Sequence, residues 1–430
     1  MSFDLSRYSR LKAIVDQTYG TTIVYDKHHD GAYDNNWVKE YELFYNKQAY
    51  SSPCVRRIFF KDTTGKAAGF SDIRPITDGS EVSETYLVPP PSLSEDKQAF
   101  IKCLRTLDQY GEKVTCVPYI MPESIFGMCI HASVWICLKC LEESIERPLS
   151  IPEIQSTARG SPYTDKEGLP FVQTARILRM SRAYAFYINS NEPPFLDDER
   201  MLMSLYAYVE SNLPVILGVD TSDLEWWQGA REQGYHSIVA IGHTMNNNDI
   251  DKFIFHDESA FPYVTLTIED LLKAWHIPHK DEYSNITVRE LLVAVPPEVS
   301  VAFHRVYQQF SGWLLALITK NLIKQTDVKN LEIRPFLNSF IKLFLEPHKS
   351  VINAVKELDH PPTYLWYIEL FDKNSDKKDP KNSKGFFLRD ATRESEFRLL
   401  YLKDQKTAIY QATRDATFQR WDDKEEKIQR

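Results

Sequence analysis

The sequence predicts an α+β protein, and three observations carry that prediction. An apolar run opening at Cys129, CIHASVWICLKCLEESIE, reads as a helix whose first residue is a thiol. More helical patterns follow it closely, in FVQTARILRM and in the stretch after Asp197, where Leu202, Leu205, Tyr206 and Val209 share one face. Strand-like segments come later: PVILGVD, GYHSIVAIGH, FIFHDES and LLVAVPP, with an Asn-rich turn, MNNND, between the second and third. Helices gathered first and antiparallel strands afterwards describe an α+β unit, because a parallel sheet would need the two to alternate.

Taken in order, residues 1–117 read as a β-rich region. TTIVYD, KEYELFY, CVRRIFF and ETYLV are short strands separated by polar turns. VPPPSLSEDK, at 88–97, is the linker candidate, since consecutive prolines hold an extended backbone. AFIKCLRTLDQY after it fits a short amphipathic helix. Residues 118–300 hold the α+β unit, with a capping-box pattern at Ser150 and Glu153 and a strand-then-helix reading for YVTLTIEDLLKAW. Residues 301–430 read as a helical and β extension. Phe303, Val306, Tyr307, Phe310, Trp313, Leu314, Leu317 and Ile318 form one helical stripe. LNSFIKLFLEPHKSVINAVKEL looks helical with a break at Pro347, and TYLWYIELF, GFFLRDA, FRLLYLK and TAIYQAT are strands. The terminal RWDDKEEKIQR reads as a solvated, fraying end.

Composition excludes several classes. The chain has 430 residues, 43% hydrophobic, enough for two or three domains with buried cores. A formal net charge of −9 disfavours non-specific binding to nucleic acid. The longest strongly apolar stretch, Trp313 to Ile318, is too short to span a bilayer, so no membrane role is expected. The first residues lack a continuous apolar segment of the export type. Six cysteines in a chain this long do not make a disulfide scaffold, so reduced thiols in a cytoplasmic setting are the expectation.

Cys129, His236 and Asp257 are the candidate catalytic residues. Cys129 follows a loop broken by proline and glycine, MPESIFGM, and opens a helix. A helix N-terminus offers unpaired N–H groups and partial positive charge, which favour a thiolate. The same backbone N–H of Cys129 is the expected oxyanion donor. His236, on a strand, is placed to take the thiol proton, and an acid on the neighbouring strand orients the ring. Folding back at MNNND brings residues near 236 opposite the high 250s. Asp257 then lies diagonally from His236, and a register slip would present Glu258 or His256 instead.

The order Cys, His, Asp, carried by GMCIHASVWICL, NLPVILGVD, GYHSIVAIGHT and FIFHDESA, resembles the papain-like cysteine peptidase superfamily. Within it the resemblance is nearest to the double-glycine leader peptidase-like, bacteriocin-processing group, and it covers roughly residues 118–300. It implies a central domain with a helix bundle carrying the cysteine and an antiparallel sheet carrying the histidine and acid, between an N-terminal β-rich region and a C-terminal α/β extension. It also implies the roles of nucleophile, base and orienter for Cys129, His236 and Asp257. One departure stands out: where the family has an oxyanion-hole glutamine before the cysteine, this chain has Glu123, which as a carboxylate would repel an oxyanion.

The reading is therefore a thiol hydrolase acting on a peptide or isopeptide bond in a protein or peptide substrate. No cofactor or metal is required by the pattern. Two rivals remain: an acyl-transfer or deamidase enzyme on the same fold, and an inert protein-binding module, which Glu123 favours. Trp226 and Trp227 precede His236 in a polar loop and are candidate substrate-binding residues. Cys137 and Cys140 form a C-x-x-C inside the predicted helix, where core packing explains them better than a metal.

Overall fold

The computed structural model describes residues 9–20, 23–28, 56–75, 81–94, 96, 98–109, 112–121, 129–145, 148–149, 153–154, 157, 169–193, 195–221, 235–246, 249–258, 260–275, 288–325, 331–339, 363–372, 382–392, 398–402, 407–411, 419–422 and 428–429. Contacts divide the chain into two units. One comprises residues 1–197, 212–245 and 250–295, and the other residues 198–211, 246–249 and 296–430. The sequence pattern places boundaries at 117/118 and 300/301, whereas the β-rich segment before 118 belongs to the same unit as Cys129. The helix Asp198–Glu210, which falls within residues 118–300, groups with the C-terminal residues.

The first unit begins with a helix, Ser9–Tyr19, and the strands β1 (Ile23–His28), β2 (Arg56–Lys61), β3 (Ala67–Pro75) and β4 (Glu81–Leu87). β5 (Ala99–Ile101), β6 (Arg105–Gln109) and β7 (Glu112–Met121) follow. Strands β1-β2-β3-β4-β7-β6 make one antiparallel sheet in that order. AFIKCLRTLDQY is not a helix: its first part is β5 and its last part β6, with Cys103 between them at φ 59°. Its apolar spacing suits either structure. Pairing of Ala99–Ile101 with Gly242–Thr244 overrides the local preference. That pairing depends on Gly242, because a Cβ there would fall 2.6 Å from the Phe100 carbonyl oxygen. β4 and β5, on either side of residues 88–97, lie in different sheets, and the chain returns to the first sheet at β6.

The second sheet of this unit runs β12 (Val264–Thr267), β11 (Asp249–His256), β10 (Tyr235–Asn246), β9 (Val215–Asp220), β13 (Glu290–Val295) and β8 (Tyr184–Asn189), with β5 also on β10. The predicted strands PVILGVD, GYHSIVAIGH, FIFHDES and LLVAVPP all appear. The helix Cys129–Cys140 is buried on nearly every side, through Ile130, Val134, Trp135, Ile136, Cys137 and Leu138. Its neighbours are β7 of the first sheet, β9 of the second and the helix Phe171–Met180. Among the described residues, the neighbours of this helix are thus mostly strands.

A seam of buried polar groups joins the two sheets. Tyr263 Oη donates to the Leu87 carbonyl at 2.6 Å, and Tyr119 Oη to the Asp257 carbonyl at 3.1 Å. His256 packs edge-on to both tyrosine rings, with centroids 5.3 Å and 4.8 Å away.

In the C-terminal unit the stripe from Phe303 forms the helix Phe303–Thr319, burying Phe303, Val306, Phe310, Trp313 and Leu317. Phe310 and Trp313 meet the Phe387 ring at 5.1 Å and 5.4 Å. The sheet is an antiparallel meander of β14 (Leu331–Ser339), β15 (Tyr364–Asp372), β16 (Ser383–Asp390), β17 (Arg398–Leu402), β18 (Thr407–Gln411), β19 (Gln419–Asp422) and β20 (Ile428–Gln429). Two expectations change here. The stretch read as helical from Leu337 begins inside β14, and its remainder lies outside the described residues. The tail read as fraying instead supplies β19 and β20, since backbone pairing needs little apolar patterning at a sheet edge. Among the described residues, no helix is long and apolar enough to cross a membrane.

Candidate active site

Cys129, His236 and Asp257 come together from three separated segments of the first unit. Cys129 is the first residue of its helix and is half-buried. His236 is the second residue of β10, opposite Val219 of β9. β10 and β11 are neighbours joined through only two residues, so they must run antiparallel. That places the end of β11, and Asp257 just after it, beside the start of β10. Ser133, one turn into the Cys129 helix, hydrogen-bonds Ser237 at 3.1 Å and ties that helix to the residue next to His236.

The His236 ring is gripped from one side by acid. Its Nε2 lies 2.8 Å from Asp257 Oδ1 and 3.4 Å from Glu258 Oε1. With Nε2 engaged by carboxylates, Nδ1 is the ring nitrogen left for another partner, and the Cys129 sulfur lies within 4.8 Å of a ring nitrogen. Sulfur, ring nitrogen and a Glu258 oxygen all lie within 4.8 Å of one another. The side chains are shielded: His236 is 10% exposed, Asp257 0% and Glu258 2%. Burial works against an imidazolium here, but the charges of Glu258 and Asp257, with the hydrogen bonds from Asp257 and Cys129, hold His236 well above its ordinary value.

Asp257 is fixed at several points. Its Oδ1 also accepts from the Ala260 N–H at 3.1 Å, and its own N–H donates to the Phe261 carbonyl at 3.2 Å. The turn-forming use and the ring-orienting use thus coexist in one carboxylate. Tyr119, from the first sheet, holds its carbonyl. Nothing in the sequence near Tyr119 signals this, because the contact depends on how the two sheets pack.

Glu258 is the residue the triad pattern underrated. The strand pattern presents it only under a slipped register, yet it sits beside Asp257 and faces both ring and sulfur. Two adjacent acids after a strand facing a histidine were the available clue. His256, the other fallback, turns away to the sheet seam, where Nδ1–H donates to the Pro118 carbonyl at 3.2 Å. Among the described residues, Cys129, His236 and Glu258 are the group whose donor atoms could hold one metal ion.

Three of the other described cysteines, Cys103, Cys116 and Cys137, are poor nucleophiles. Burial pushes the Cys103 and Cys137 thiols well up and Cys116 up to about 12. Cys137 Sγ points at the Pro214 carbonyl (3.9 Å) and Cys140 Sγ at the Cys103 carbonyl (3.8 Å). Trp226, Trp227 and Glu123 lie outside the described residues. The chain matches no protein-family model and no curated protein.

Proposed function

We propose that the chain is a papain-like thiol hydrolase, a cysteine peptidase that cleaves a peptide or isopeptide bond with Cys129, His236 and Asp257. The supporting observation is the connected path from the Cys129 sulfur through the His236 ring to Asp257 at 2.8 Å, assembled from a helix start and two strand ends. In the first step the Cys129 proton passes to His236 Nδ1 and the sulfur bonds to the substrate carbonyl carbon. The carbonyl π electrons move to oxygen, where the N–H at the start of the Cys129 helix is the nearby donor. Collapse breaks the C–N bond as His236 returns the proton to the leaving amine, leaving a thioester. Water then attacks with His236 as base, and the acid and free thiol are released. Asp257 holds the ring in the tautomer that keeps Nδ1 available. A reducing compartment suits this chemistry, since every described cysteine is a free thiol.

A peptidyl electrophile that forms a thioether tests the reading. It should label the wild type at Cys129, and Cys129→Ala should abolish labelling. Labelling that survives this substitution, or a wild type that never reacts, would reject it. The buried Glu258 beside the sulfur favours a second reading, a binding cleft without turnover, because a carboxylate near the nucleophile disfavours the anions of the reaction. Electrophile labelling together with absent turnover of a broad peptide library would support that alternative.

A further inference from the structure

We propose that Cys129, His236 and Glu258 form a binding site for a divalent cation of the zinc type, and that metal occupancy and nucleophilic use of Cys129 exclude each other. The first half stands on the donor geometry alone, and the second rests on the thiol-hydrolase reading.

The donor atoms come from a helix start, a strand start and the turn after a neighbouring strand. They already lie within 4.8 Å of one another. Zinc bound to sulfur at ~2.3 Å and to nitrogen and oxygen at ~2.0–2.2 Å sets donor–donor edges of about 3.4–3.6 Å in a tetrahedron. Closing the present triangle to that size takes shifts of about 1 Å or less, within the reach of side-chain rotation.

The ring is also oriented as a metal-binding histidine is. Asp257 engages Nε2 at 2.8 Å and Glu258 approaches the same nitrogen at 3.4 Å, so coordination through Nδ1 keeps Asp257 as the outer carboxylate and requires the Glu258 side chain to swing toward the sulfur. Tyr119 and the Ala260 N–H hold Asp257 in turn.

The donor set selects the metal. Thiolate, imidazole and carboxylate together suit zinc, whereas magnesium and calcium prefer all-oxygen sites. Glu258 is 2% exposed and His236 10%, so little water competes with a cation for them. Three protein donors leave a fourth position for water. As the sulfur–zinc bond forms, the thiol proton leaves to solvent and the sulfur lone pair is committed to the metal. A substrate carbonyl cannot then be attacked by that sulfur.

The experiment uses the full chain, one equivalent of zinc chloride, and iodoacetamide with mass-spectrometric mapping of the labelled cysteine. Cobalt chloride serves as the spectroscopic probe of thiolate ligation. Zinc should protect Cys129 and a chelator should restore its labelling. Cobalt should give a thiolate charge-transfer band that is lost in Cys129→Ala. Glu258→Gln and His236→Ala should lose protection, and Glu258→Asp should restore part of it. Asp257→Asn should weaken zinc affinity about 10–100-fold. Circular dichroism identifies a variant that has not folded, in which case the other of the Glu258 and His236 variants decides.

Unchanged Cys129 labelling at saturating zinc overturns the metal site, as does a zinc stoichiometry in Cys129→Ala and Glu258→Gln equal to that of the wild type. If the peptidyl electrophile reacts with Cys129 but zinc gives no protection, the metal inference fails and the hydrolase reading stands. If zinc protects Cys129 but the electrophile never reacts, the hydrolase reading fails and the metal site stands.

Discussion

Two buried histidines at neighbouring strand ends are pushed in opposite directions. His236 sits where β10 begins, with Asp257 and Glu258 facing its ring, and is held well above its ordinary value. His256 ends β11 in the seam between the two sheets, with the Tyr119 and Tyr263 rings roughly perpendicular to it and, among the described residues, the Pro118 carbonyl as its hydrogen-bond partner. Burial lowers it to about 3. Its Nε2 has no hydrogen-bond partner among the described residues. Burial acts on both rings in the same sense; two carboxylates reverse the outcome for one of them. The difference separates a group that can carry a proton during chemistry from one that serves as a neutral wedge in the core.

The largest effect expected from breaking this contrast is on reactivity. His236→Ala removes the proton acceptor and should slow peptidyl-electrophile labelling of Cys129 about 10²–10⁴-fold. His256→Phe, which retains a ring of similar shape in the seam, should leave that rate within tenfold. Comparable losses in both variants would mean that His236 acts only through packing.

The next effect is on stability, and the two rings carry opposite signs. The folded protein keeps His256 neutral down to about pH 3, while the unfolded chain takes up that proton near pH ~6.5. Stability is therefore lost as pH falls through this window, by about 1.4 kcal/mol per pH unit and up to ~4–5 kcal/mol in all. His236 has a raised folded value, so its contribution is complete below pH ~6.5 and is lost as pH rises through that folded value. Urea unfolding at pH 5 and pH 7 should show a shallower acid loss in His256→Phe than in the wild type. An unchanged acid slope would assign acid sensitivity to other groups.

The smallest effect sharpens the comparison without abolishing the site. Glu258→Gln removes the strongest influence raising His236, so an imidazole NMR titration should find that ring titrating at lower pH than in the wild type. It should still lie above His256, because Asp257 remains. A titration that does not move would mean that Asp257 alone sets the value.

The candidate triad was legible because each part has a local signature: a thiol before an apolar helical run, a histidine on a strand, and acids closing the next strand. The Asn-rich turn then made the last two neighbours. Glu258 was legible only as an ambiguity of register, since adjacent residues at a strand end can both turn toward the same ring. Tyr119 and the Ser133–Ser237 bond had no signature, as each joins residues that meet only after two layers pack. Local periodicity failed where two structures share one pattern. Residues 99–109 have helix-compatible spacing but are two strands, because β10 presents an edge and a glycine at the point where β5 docks.

Sequence by itself determined the α+β class, the thiol at a helix start, most strands of the central sheet and the long helix at Phe303, because apolar spacing and turn residues act locally. Only tertiary structure decided that the β-rich segment joins the unit of Cys129, that two acids converge on His236, and that His256 stays neutral. Those outcomes depend on burial and on the meeting of charges far apart along the chain, and neither is a property of any short stretch of residues.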